Sequence, residues 1–174
     1  MNTFAPRLGL QIPLIQAPMA GVQLHALTVA VSGAGALGSL PCAMLNAASL
    51  RAELHAIRAG TDRAFNLNFF CHAPPAPDAA AEAAWRDALR PYYDEFGIDA
   101  SKIAAGPGRA PFGDEFAALV EEFRPPVVSF HFGLPGAPLL ERVRRSGAFV
   151  LGSATTVDEA RWLEAHGADA VIAQ

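Results

Sequence analysis

Six short β-like runs, at residues 14–17, 36–40, 64–70, 127–132, 148–152 and 168–174, alternate with helix-like runs along the chain. Most of the connections are short, so the strands are expected to lie parallel with right-handed crossovers. Polar or glycine-rich residues gather where each strand would end: Gln16-Ala17-Pro18-Met19, Gly38-Ser39, Asn66 and Asn68, Ser129 to His131, Ser153 to Thr155, and Gln174. In a parallel β/α barrel those C-terminal strand ends and their loops build the active site. The pattern therefore predicts an α/β protein, a TIM-type (β/α) barrel with parallel strands, carrying an enzyme-like site. A closed barrel of this kind needs eight strands. The 174 residues end on the sixth, so the expected architecture is a barrel truncated after strand six.

Composition narrows the class. At 52% hydrophobic and 17% charged, the chain is more apolar than an average soluble domain. That suits strands covered on both faces. A net charge of −4 without a basic stripe excludes a nucleic-acid partner. No run reaches the roughly 18 unbroken apolar residues of a membrane span. The N-terminus lacks the charged start and apolar core of a signal peptide. Cys42 and Cys71 stand without CxxC spacing, as reduced thiols of a cytoplasmic protein would.

The expected helices fall at 24–32, 50–59, 78–93, 114–123, 138–145 and from Thr156 to His166. Asn46 or Ser49 could cap the second of these. Thr156-Val157-Asp158-Glu159 has the form of a capping box. In the third strand Phe65, Leu67 and Phe69 point one way and Asn66 and Asn68 the other. Helices would cover the aromatic face, leaving two amides inside the barrel or at its mouth. Residues 71–113 break the rhythm with two Pro-rich loops around an added helix. We read the chain as one partial barrel domain, 1–174, with this stretch inserted as a lid, a dimer contact or a packing decoration.

Gly33-Ala34-Gly35-Ala36-Leu37-Gly38 matches G-x-G-x-x-G, but it follows a helix and opens a strand. A dinucleotide loop has the reverse order. Its glycines are expected to end the helix and let the strand pack closely. The amides of Asn66 and Asn68 need partners, since an unsatisfied buried amide costs about 1–3 kcal/mol. A bound heterocycle, bridging water or neighbouring backbone would each serve. His131, at a strand's C-terminal end, is placed for acid–base chemistry or for a structural hydrogen bond. His25, His55 and His166 lie in or beside helices. No carboxylate pair, nucleophile elbow or metal-spaced ligand set appears, so hydrolase and metal readings are weak.

Five ordered blocks carry a resemblance. They are Pro13-Leu14-Ile15-Gln16-Ala17-Pro18-Met19-Ala20-Gly21, Val31 to Leu40, Phe65-Asn66-Leu67-Asn68, Val128-Ser129-Phe130-His131-Phe132-Gly133, and Ala168 to Gln174. Together they resemble the nitronate monooxygenase family, formerly called 2-nitropropane dioxygenases. The resemblance implies a barrel flavoenzyme that holds FMN without a covalent link and oxidises alkyl nitronates with dioxygen to carbonyl compounds and nitrite. By position, Ala17, Pro18 and Met19 would lie against the flavin, Asn68 and Gln174 would hydrogen-bond it, and His131 would line the substrate pocket. In the family a glycine-rich segment bearing the proposed catalytic His follows strand six, and the loops after strands seven and eight hold the phosphate. The chain ends before these segments, so on its own it is expected to bind FMN weakly. An FMN-dependent enoyl reductase, an NAD(P)H:quinone reductase, and a non-catalytic barrel fragment needing a partner chain are the alternatives. A homo-oligomer is compatible with all of them.

Overall fold

The computed structural model describes residues 4–76, 78–103 and 109–174. Five strands lie side by side in chain order, each parallel to the next: β1 (Gly38–Pro41), β2 (Phe65–Phe70), β3 (Val127–His131), β4 (Phe149–Ala154) and β5 (Ala170–Ala173). Helices α2 (His25–Gly33), α3 (Ala47–Gly60), α5 (Asp114–Phe123), α6 (Ala137–Arg145) and α7 (Val157–Ala165) alternate with them, after a short N-terminal α1 (Phe4–Arg7). This is the strand order and direction of a TIM-type barrel, laid out here as an open sheet.

The first β-like run departs from expectation. Residues 14–17 form a single parallel bridge, Ile15 to Leu37, rather than a strand. Leu37 N–H donates to Leu14 O and Gln16 N–H to Leu37 O, both at 2.9 Å. The next rung would need an N–H at residue 18, and Pro18 has none. Side-chain amides take over at Ser39: its N–H donates to Gln16 Oε1 at 3.0 Å, and its carbonyl accepts from Gln23 Nε2 at 2.7 Å. Gln16 Nε2 in turn donates to Gln23 Oε1 at 2.9 Å. The two glutamines thus stand in for ladder bonds that proline forbids.

The alternation along β2 sorts the sheet into two faces. Phe65, Leu67 and Phe69 pack outward with Leu50, Leu54, Ile57, Phe116 and Val120 of α3 and α5, and with Val128 and Phe130 of β3. Asn46 caps α3 and exchanges bonds with Ser49 on both sides of a capping box. The inner face is layered. At the N-terminal ends of the strands Leu37, Val127, Phe149 and Leu151 form a second apolar cluster, against which Phe4, Leu8 and Leu10 pack. Above it the inner face turns polar.

Gly38 shows why the glycine run belongs to packing. A Cβ there would stand 2.1 Å from Thr28 O and 2.8 Å from Ser32 Oγ, so only glycine lets β1 lie this close to α2. At α7, Thr156 Oγ1 caps the helix by accepting from Glu159 N–H at 3.1 Å. The reciprocal half is shifted by one residue: the Glu159 carboxylate accepts from Thr155 N–H and Oγ1, at 2.6 and 2.8 Å.

Residues Ala73–Arg109 form a second compact unit. It contains α4 (Ala79–Glu95), capped by Asp78, and a short 3-10 turn, Ala100–Lys102, capped by Asp99. No residue of α4 is buried. The expected loop at Gly106-Pro107-Gly108 and the residue Pro77 lie outside the described residues. Among the described residues no helix is long and apolar enough to cross a membrane.

Candidate active site

The polar layer of the inner face is built by four residues from three adjacent strands, two of them from β2. Ser39 of β1 pairs in register with Asn66 of β2, and Asn68 of β2 pairs with Ser129 of β3. All four side chains are buried. Asn66 Nδ2 donates to Ser39 Oγ at 3.0 Å and to Ser129 Oγ at 2.9 Å. Asn68 Nδ2 donates to the same Ser129 Oγ at 2.9 Å. Ser129 thus accepts from both amides and locks their rotation. Asn66 Oδ1 is buried with no hydrogen-bond partner. Such an atom is costly unless a ligand or water meets it.

A cavity of about 390 Å³ opens on this layer at the C-terminal ends of the strands. Asn66, Asn68 and Ser129 line its polar side, Ile15, Phe70 and Ile172 its apolar side, and Ala17, Pro18, His131, Ser153 and Gln174 complete it. Its size and mixed lining are those of a small-molecule site. Of the residues singled out from sequence, Ala17, Pro18, Asn68, His131 and Gln174 come together here. Met19 does not; it is largely exposed and outside the lining. Gln174 is positioned by its backbone N–H, which donates to Ala154 O at 2.9 Å.

His131 sits at the last position of β3, where Cys71 N–H donates to its carbonyl at 2.9 Å. Its ring lies 5.8 Å from that of Phe70 and 4.1 Å from that of Phe132. Phe132 follows with φ of 65°, a left-handed conformation unusual for a bulky residue, and Gly133 continues it at 91°. Backbone held this way costs on the order of 1–3 kcal/mol and concentrates at functional sites.

The sequence places Ser129 and Ser153 among the strand-end residues of the expected site but assigns neither a role. The alternation that places Asn66 and Asn68 inside also places Ser129 inside on the neighbouring strand, so that signal was present. Gln23 left none, because its part follows from the proline-broken ladder. Cys42 and Cys71 are free thiols. Burial pushes both pKa values up, that of Cys71 to about 12. Neither is a nucleophile near neutral pH. Among the described residues no group of three or more His, Cys, Asp or Glu side chains could hold a metal ion.

Comparison with known proteins identifies the family. A family profile described as nitronate monooxygenase matches residues 4–174. A nitronate monooxygenase of Paraburkholderia phytofirmans is 42% identical over 97% of this chain and 46% of its own length. One of Pseudomonas aeruginosa is 43% identical over 99% of this chain and 50% of its own. The chain therefore spans about half the length of the curated relatives it matches. Among solved structures, a nitroalkane oxidase of Streptomyces ansochromogenes superposes with a TM-score of 0.83 at 36% identity, over 99% of this chain and 48% of that one. FabK of Thermotoga maritima reaches 0.70 at 24% identity, over 99% of this chain and 43% of that one, a likeness of fold alone. The five sequence blocks, the parallel sheet and the profile match over nearly every residue converge, and the chain belongs to the nitronate monooxygenase family.

Proposed function

We propose that the inner cavity seats the ring of FMN and that the chain serves an FMN-dependent oxidoreductase. Its reaction is the oxidation of an alkyl nitronate by dioxygen to a carbonyl compound and nitrite. The observation that carries this reading is the polar layer. Two amides are held rigid by one serine at the wall of a cavity of ligand size, which Asn66 and Asn68 both line. A heterocycle with alternating donors and acceptors along one edge satisfies such a layer; an apolar ligand does not.

Bound FMN would supply the redox chemistry, which no side chain here can perform. The chain's own residues bind and orient. Asn68, with its Nδ2 engaged by Ser129, presents its carbonyl oxygen to accept from a ring N–H. Gln174 contributes an amide from the end of β5. Ala17 and Pro18 form an apolar wall, with Met19 beside them at the exposed rim. His131 faces the same cavity and can donate a ring N–H to the oxygens of a nitronate. Leu151 and Phe149, packed beneath the polar layer, close the floor against water.

The assay is nitrite and carbonyl formation from the nitronate of 2-nitropropane by the flavin-loaded protein. Nitrite release is expected, and His131→Ala should lower kcat/KM by about 10- to 100-fold, as loss of a hydrogen bond to a charged group would. NAD(P)H-driven reduction of a quinone or an enoyl thioester with no nitrite from any nitronate would overturn the monooxygenase reading.

A further inference from the structure

A pocket of about 250 Å³ lies at the opposite end of the sheet from the inner cavity. Its base is Phe65, the first residue of β2, and Pro126, just before β3. The inner cavity instead takes Phe70 and His131, the last residues of the same two strands. Three arginines line the pocket: Arg58 from the last turn of α3, Arg63 from the turn that follows it, and Arg124 from the residue that ends α5. Asp62 is the one carboxylate among its lining residues. All three arginines are exposed.

Elsewhere Arg51, Arg86, Arg90, Arg142 and Arg161 each pair with a carboxylate. Arg58, Arg63 and Arg124 form no ion pair among the described residues, and neither does Asp62. The nearest acids along α5, Glu121 and Glu122, are already engaged by Arg142 and Arg51. A helix C-terminus attracts cations, and Arg58 answers that of α5 by donating from Nη2 to Phe123 O. This bond anchors its guanidinium and leaves its other N–H groups for a ligand. The side chains of Arg63 and Arg124 donate to no described residue, so the helix ends do not account for them. Arg63 is placed by its own N–H, which donates to Thr61 Oγ1 at 3.2 Å. Arg124 holds φ of 43°, a left-handed conformation in which glycine is the usual residue at a helix end. An arginine there strains the backbone and puts a third positive charge on the pocket.

We infer that this pocket binds a small phosphate monoester, at a site separate from the inner cavity and independent of the reaction proposed there. A phosphate dianion offers three oxygens, each able to accept from a guanidinium fork, where a carboxylate offers two. Three arginines against one aspartate make the pocket positive on a chain of net charge −4. Its volume falls below the roughly 300 Å³ at which sites for drug-sized ligands begin. It therefore suits a phosphate on a short carbon skeleton rather than a nucleotide. Phe65 and Pro126 give that skeleton an apolar wall.

The test is calorimetric titration of the protein with glycerol 3-phosphate, in chloride buffer at constant ionic strength. Binding should saturate at one ligand per chain and be at least about tenfold tighter than that of succinate, a dicarboxylate of similar size. Arg63→Gln and Arg124→Gly should each weaken it at least about tenfold, as loss of one hydrogen bond to a charged group would. Glycine suits the left-handed backbone at residue 124, so Arg124→Gly should unfold no earlier than the wild type on heating. Its lost binding then reports the guanidinium and not the fold. Asn68→Ala, at the other end of the sheet, should leave the affinity unchanged, which separates this site from the flavin reading. No saturable binding, an affinity indifferent to both arginine substitutions, or succinate binding as tightly as the phosphate would overturn the inference. A short phosphoserine peptide that binds more tightly than glycerol 3-phosphate would overturn the assignment to a small molecule.

Discussion

Removing the Ser129 hydroxyl separates a rigid amide layer from a merely polar one. In Ser129→Ala, Asn66 Nδ2 keeps its 3.0 Å bond to Ser39 Oγ and loses a second acceptor, a change worth about 1 kcal/mol. Asn68 fares worse, because only the distant Ser129 carbonyl, at 3.5 Å, is left to accept from its Nδ2. A buried donor without a good partner costs about 1–3 kcal/mol. The sum is about 2–4 kcal/mol, toward the lower end if water enters from the adjoining cavity. With a urea m-value of about 2 kcal/mol/M, the unfolding midpoint should fall by about 1–2 M. Ser39→Ala is the internal control: Asn66 keeps its Ser129 bond and loses the partner of one N–H, while Asn68 is untouched, so only the Asn66 part of the cost, about 1 kcal/mol, is expected. Urea titrations followed by far-UV circular dichroism read both. If Ser129→Ala costs less than about 0.5 kcal/mol, or no more than Ser39→Ala, then Ser129 is not the shared anchor.

Two further outcomes follow from packing and burial. Gly38→Ala should destabilise the protein by more than about 2 kcal/mol, because the new Cβ meets the Thr28 carbonyl and cannot be relieved by rotating a side chain; a thermal melt unchanged within 2 °C would contradict the close approach of β1 to α2. Cys71, raised to about 12 in the fold from an ordinary 9.0, keeps its proton in the native state while the unfolded chain loses it. The native state then binds more protons above about pH 9, so stability falls as pH rises, by about 1 kcal/mol at pH 10. The difference between the urea curves of wild type and Cys71→Ala at pH 8 and pH 10 measures this, and a difference that does not change with pH would refute the burial of that thiol.

Much of this architecture was legible in local pattern. The alternation at Phe65 to Phe69 placed two amides inside, and the helix over 114–123 emerged with the expected bounds. The wrong-way order around Gly33 to Gly38 marked a packing device, which the 2.1 Å approach to Thr28 explains. The first run was over-read. Its apolar residues suit a strand, yet Pro18 removes the N–H that a second rung requires, and the compensating bonds come from Gln16 and Gln23 side chains that no periodicity describes. The capping pattern at Thr156 was legible, but Glu159 turned to Thr155 because that N–H and hydroxyl converge on one carboxylate oxygen. The pocket of arginines could not be read at all. It joins the turn after α3 to the end of α5 about sixty residues later, and it depends on a left-handed Arg124 that residue type argues against.

The central claim is that the layer of Asn66, Asn68 and Ser129 with Gln174 receives a flavin ring. Lumiflavin carries that ring without the ribityl phosphate, so its binding tests the cavity apart from any phosphate site. Quenching of lumiflavin fluorescence on titration with the protein should saturate at one ring per chain, and Asn68→Ala and Gln174→Ala should each weaken binding about tenfold, as loss of a hydrogen bond worth about 1.4 kcal/mol would. No saturable quenching, or an affinity indifferent to both substitutions, would contradict the account.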